Sequence, residues 1–82
     1  MLRNRRSRCR ETSVHDGPKH AVIARAHPVE DVPGLLLVEG TVDEFDEIYT
    51  LVEHLTDATR SRRQIELLDG MRADLCTAID GF

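Results

Sequence analysis

The chain has 82 residues and a mass of 9.3 kDa, enough for one small domain and too short for a two-domain enzyme or a solenoid of several repeats. Charged residues make up 32%, apolar residues 40% and aromatic residues only 4%, with no Trp, so the chain can fold but has few large side chains with which to build a core. The longest apolar run, Leu35 to Val38, is far below the ~20 residues of a membrane-spanning helix, and a membrane is not among the expected partners.

Residues 1–18 are rich in Arg, close on Gly17-Pro18 and contain almost nothing to bury. Such a segment cannot offset the entropy of ordering its backbone, and it is predicted to be a disordered basic arm ahead of a domain spanning 19–82. Ala21-Val22-Ile23-Ala24-Arg25-Ala26 is a short β-tolerant stretch stopped by His27-Pro28. Pro33-Gly34 suits the central positions of a type II turn, since Pro presets the first and Gly accepts positive φ at the second. Leu35-Leu36-Leu37-Val38 reads as an apolar strand bounded by turn signals, so the two stretches are expected to form a β-hairpin.

Thr41-Val42-Asp43-Glu44 has the form of a capping box, with acids suited to the positive end of a helix dipole. At 100° per residue Val42, Phe45, Ile48, Tyr49, Leu51, Val52 and Leu55 share one face, and Asp43, Asp46, Glu47, Thr50, Glu53, His54 and Asp57 fill the other. Ser61-Arg62-Arg63-Gln64 is a second capping box, opening a helix that runs to a stop at Gly81. Ile65, Leu67, Leu68, Met71, Leu75, Cys76, Ala78 and Ile79 form its apolar side, and Arg72 falls within that arc, where it would need a carboxylate from the other helix or another subunit. A short connection at Asp57 to Arg60 makes the two helices an antiparallel hairpin. The expected fold is therefore α+β, a β-hairpin followed by a two-helix hairpin in the order β-β-α-α.

A domain of about 60 residues is marginal alone, and both apolar arcs are wider than one partner helix covers. A symmetric homodimer is expected, with Phe45, Ile48, Tyr49, Val52, Leu68, Met71 and Leu75 at its interface.

The net charge of −4 conceals a segregation: residues 1–20 carry net +4 and the remainder net −8. Residues 39–57 hold seven acids and no Lys or Arg. Asp43, Asp46, Glu47, Glu53 and Asp57 are the candidate partner-binding residues, because a rigid row of carboxylates can engage a basic protein surface. Arg5, Arg6, Arg8 and Arg10, together with Arg60, Arg62 and Arg63 at a helix start where the dipole disfavours cations, are the candidates for phosphate or nucleic-acid contact. Catalysis is not expected: His15, His20, His27 and His54 are scattered, and no nucleophile context, glycine-rich phosphate loop or metal-ligand spacing occurs, so neither cofactor nor metal is anticipated. Cys9 and Cys76 form no disulfide framework and no apolar segment follows the basic start, which places the chain in the cytoplasm. The role that follows is a small non-enzymatic regulatory or interaction protein that binds a macromolecular partner, a protein in the first instance. The alternative is a nucleic-acid-binding regulator that uses the basic arm and the Arg60 to Arg63 cluster.

Overall fold

Thr41 begins its helix as its sequence requires. In the computed structural model, which describes residues 4–82, the Thr41 Oγ1 accepts from the Glu44 N–H at 3.2 Å while the Glu44 carboxylate accepts from the Thr41 N–H at 3.1 Å. The helix so opened, Val42–Ala58, is followed across a three-residue turn by a second, Arg62–Asp80. Ser61 caps the second helix by accepting from the Gln64 N–H at 3.4 Å, but Gln64 does not complete a capping box. Its side-chain amide donates instead to the Asp16 carbonyl at 3.2 Å. The two helices form the expected hairpin, and the fold is α+β.

In chain order the elements are β1 (Asn4–Arg10), α1 (Glu11–Asp16), α2 (Ala21–Ala24), β2 (His27–Pro28), β3 (Leu35–Thr41), α3 (Val42–Ala58) and α4 (Arg62–Asp80). The β3-α3-α4 portion follows the anticipated order, whereas the expected first strand is replaced by α2 and the two residues of β2, read from sequence as its stop, and β1 and α1 precede them. The antiparallel sheet runs β1-β3-β2. β1 pairs with β3 along seven residues, from Asn4 opposite Thr41 to Arg10 opposite Leu35, whereas β2 contributes only His27 opposite Leu37 and Pro28 opposite Leu36. The type II turn is present: Gly34 has φ +84°, and the Leu35 N–H donates to the Val32 carbonyl at 3.3 Å.

Two segments differ from their sequence reading. Residues 4–16, read as part of a disordered arm, form β1 and α1; residues 1–3 of that arm lie outside the described residues. Along β1 the burial alternates, with Ser7 and Cys9 inside and Arg6, Arg8 and Arg10 outside, so a strand with only two small inward side chains is ordered by a complete ladder to β3. The Glu11 N–H donates to the Gly34 carbonyl at 2.8 Å and fastens the β1-α1 corner to the turn before β3. Ala21–Ala24, read as a strand, is a single helical turn. Ala favours helix, and the His20 imidazole caps the turn by accepting from the Val22 N–H at 3.1 Å.

Buried side chains of all four helices join the sheet in a single core. The inner face of the sheet carries Cys9, Leu36 and Val38, against which Phe45, Ile48 and Val52 of α3 and Leu68, Met71, Leu75 and Ala78 of α4 are packed. Gly40 lets the Phe45 ring approach β3 closely, since a Cβ there would stand 3.0 Å from the ring. Phe45 also meets Phe82 edge to face with centroids 5.8 Å apart.

This packing corrects the expected dimer interface. Phe45, Ile48, Val52, Met71 and Leu75 are 0% exposed and Leu68 is 1% exposed within a single chain, and Tyr49 is half-buried at the core margin. The sheet together with α1 and α2 covers the part of each arc that one helix leaves open, so these side chains are not offered to a second copy. Arg72 is corrected as well: it is exposed, and its guanidinium meets Asp69 of its own helix at 3.5 Å. Cys76, placed by periodicity on the apolar side, is exposed.

Candidate interaction surfaces

The outward face of α3 carries the first candidate surface. Asp43, Asp46, Glu47, Glu53 and Asp57 are all exposed. Glu47 is bonded to the His20 Nε2 at 3.0 Å, and Glu44, on the neighbouring flank, meets Arg25 at 3.2 Å. The Thr41 backbone N–H, helped by the Thr41 hydroxyl and by Arg25, holds the Glu44 carboxyl below its usual range. Asp43, Asp46, Glu53 and Asp57 have no ion-pair partner among the described residues.

Arg60, Arg62 and Arg63 are exposed and likewise have no ion-pair partner among the described residues. Arg62 and Arg63 open α4, where its dipole disfavours cations, and Arg60 stands in the turn that follows the end of α3. The acidic face of α3 thus ends in a basic turn.

The arginines of β1 divide by strand phase. The Arg5 guanidinium lies against Gly81 at the carbonyl end of α4, a position a cation favours. Arg6 pairs with Glu39 directly across on β3 at 2.9 Å. Arg8 and Arg10 stand opposite Leu37 and Leu35 on the open face of the sheet and make no ion pair among the described residues. His27 continues that row beyond Leu37. The two basic groups anticipated from sequence are therefore on separate elements, one on the sheet and one at the helix turn. α1, tied to α4 through the Gln64 to Asp16 bond, follows β1 between them.

The remaining chemistry-bearing side chains do not converge. His15 meets Glu11 at 3.4 Å, and His27 and His54 are exposed. Among the described residues no group of three or more His, Cys, Asp or Glu could hold a metal ion, and no helix is long and apolar enough to cross a membrane. Cys9 is fully buried beside the Ser7 Oγ at 3.8 Å, and burial pushes its thiol up to about 11. Such a thiol is inert at neutral pH. Cys76 is free and exposed; its thiol, with Glu53 as a lesser contributor, raises the Tyr49 phenol above its ordinary range.

Hollows border these elements. An open groove of about 580 Å³ lies between α1, α2 and the end of the sheet, with Val14, Ile23 and Leu36 in its floor and His15, Lys19 and His20 at its rim. Two smaller ones, about 240 and 340 Å³, run between β1 and α4 and share Asp74. Sequence reasoning missed these because the strand was missed. The signal was the strict alternation Arg6-Ser7-Arg8-Cys9-Arg10, a period-two pattern in which Ser and Cys stand where larger apolar residues are usual. Comparison with protein families, with curated proteins and with solved structures finds no match to this chain.

Proposed function

We propose that this protein is a small non-enzymatic regulatory or interaction protein that binds a protein partner through the acidic outer face of α3 and the Arg60 to Arg63 turn at its end. One observation carries this reading: Asp43, Asp46, Glu53 and Asp57 lack an internal cation, whereas Glu44 and Glu47 on the adjoining flank are matched by Arg25 and His20. Unmatched carboxylates on a helix fixed by its own capping box form a preorganised row, and preorganisation lowers the cost of binding a basic surface. The two thiols are unpaired, consistent with action in the cytoplasm.

The experiment is a titration of the full chain with a labelled basic helical peptide, read by fluorescence anisotropy, beside the variant Asp43→Asn, Asp46→Asn, Glu53→Gln, Asp57→Asn. Binding that weakens about tenfold or more in the variant and falls with salt supports the reading. Equal binding by both proteins, or by neither, refutes it.

A second reading rests on a different observation, the unpaired Arg8 and Arg10 on the open sheet face. Here the protein contacts nucleic-acid phosphates with β1, and Arg60, Arg62 and Arg63 add charge from the helix turn. Affinity for generic DNA or RNA would then fall steeply with salt, and would fall further when Arg8 and Arg10 are neutralised.

A further inference from the structure

β1 is an edge strand of seven residues, a span of roughly 23 Å. Its register with β3 is uninterrupted, so there is no bulge to twist it away, and it contains no Pro. Every second residue of an antiparallel edge directs its N–H and C=O outward. Among the described residues no other element hydrogen-bonds to the outer edge of the β1 backbone. Natural edges of this length are ordinarily shortened, bulged, covered or charged, and β1 relies on charge alone, with four Arg among its seven residues.

The flank of that edge has room for a further strand. The two hollows beside it follow one another along α4: the β1 arginines line their strand side, and small groups, Ser7, Gly70, Thr77 and Ala78, lie with Asp74 and Glu66 on the rest of the lining. Gly70 stands in the interior of a helix, where Gly is less favourable than Ala, and a Cβ there would meet nothing within 4 Å. Packing within the chain therefore does not require it. Its effect is to keep the α4 wall low where a neighbouring backbone would pass.

Charge selects the occupant. Arg6, Arg8 and Arg10 project from one face of β1 at intervals of roughly 7 Å; Arg8 and Arg10 make no ion pair among the described residues, and Arg10 acts on Asp74 only at longer range, offsetting part of the burial that raises that carboxyl. A second copy of β1 would set Arg against Arg across the new ladder, which is unfavourable. A strand with carboxylates at alternate positions would set Asp or Glu beside each guanidinium, where charge-assisted bonds form. On its other face small side chains fit above Gly70 and Ala78.

We propose that the free edge of β1 is a strand-addition site for an extended acidic segment of another protein, with Asp or Glu at every second residue and small residues between them. Backbone bonds to β1 hold the segment, and Arg8 and Arg10 fix its register and sign. This surface is separate from the acidic face of α3 and does not depend on the reading given to that face.

The test uses the full chain and four probes: a nine-residue peptide alternating Glu with Ser or Ala, its Lys counterpart, the same Glu peptide N-methylated at alternate amides so that the edge facing β1 cannot donate, and a single-stranded DNA of matching charge. Anisotropy is measured against the wild-type protein, the Arg8→Glu, Arg10→Glu variant and an Asp46→Asn, Glu53→Gln control, with circular dichroism to confirm the fold of each. The expected result is binding of the Glu peptide alone, weakened about tenfold or more by N-methylation and by the Arg reversals, and unchanged in the α3 control. Equal binding of the methylated peptide would reduce the interaction to charge attraction and overturn strand addition. Absence of Glu-peptide binding, or equal or tighter binding of the DNA, would overturn it as well.

Discussion

α3 and β1 carry the two opposite charge patterns of this molecule, and they reach order by opposite routes. α3 is specified locally: its first turn is closed by its own Thr41 and Glu44, and its apolar residues recur at helical spacing. β1 holds almost no local information, with two small inward side chains among its arginines, and it is ordered by seven pairings to a strand 25 or more residues away in sequence. A helix of the first kind can be recognised in isolation. A strand of the second kind exists only once its partner is in place.

The largest expected effect of that difference is on a chain that begins at Lys19. If β1 were a dispensable arm, this truncation would leave the domain intact. It should instead uncover the edge of β3 and the inner residues Leu36 and Val38, and abolish cooperative thermal unfolding measured by circular dichroism. Retention of a sharp transition close to that of the full chain would show that β1 adds nothing to the fold.

Next in size is the alkaline stability of the β1 core. The Cys9 thiol is raised from 9.0 to about 11 by burial, so the folded state holds its proton more tightly than the unfolded one. The associated stabilisation is complete below pH 9 and is lost as pH rises toward 11, amounting to about 2 to 3 kcal/mol. Urea titrations at pH 8 and pH 11 should differ accordingly, and Cys9→Ala should remove most of the difference. At neutral pH a thiol reagent should label Cys76 promptly and Cys9 only as the protein unfolds.

The capping box of α3 gives a smaller, local effect. Thr41→Ala should cost about 1 kcal/mol in chemical denaturation. Glu44 is held below its ordinary range by the same bonds, so its contribution is present above the unfolded carboxylate pKa and is lost as pH falls through the lowered value. The acid limb of the stability profile should therefore flatten in the Thr41→Ala protein. Smallest of all, Arg8→Gln with Arg10→Gln should change stability by no more than about 0.5 kcal/mol, since both residues are exposed and neither makes an ion pair among the described residues. A loss several times larger would make these arginines structural rather than available to a partner.

The same contrast accounts for how much of the molecule was legible in its sequence. Both long helices, their N-cap residues and the Pro33-Gly34 turn are encoded by neighbours within four residues and stand where the pattern put them, except that Gln64 leaves its expected capping box for the Asp16 carbonyl. β1 was hidden because Arg dominates its composition and its inward positions are Ser and Cys. The Ala21–Ala24 turn was hidden because Val22 and Ile23 suit either structure, and the deciding contact is a His20 cap. The supposed dimer face followed from those omissions: with β1, α1 and α2 left out of the core, the helical arcs had nothing to cover them. Among the candidate site residues, the acids of α3 were legible as an exposed row, whereas the β1 arginines were named without the strand that spaces them. A mass measurement by light scattering should accordingly give one chain of 9.3 kDa rather than a pair.

The order of β1 and the openness of its edge meet in a single observable, residue-resolved amide hydrogen exchange over residues 4–10. Amides directed at β3 should be protected, and those between them should exchange with solvent, giving protection at every second residue. Uniformly fast exchange would mean that the segment is an arm after all, and uniform protection would mean that its outer edge is already occupied.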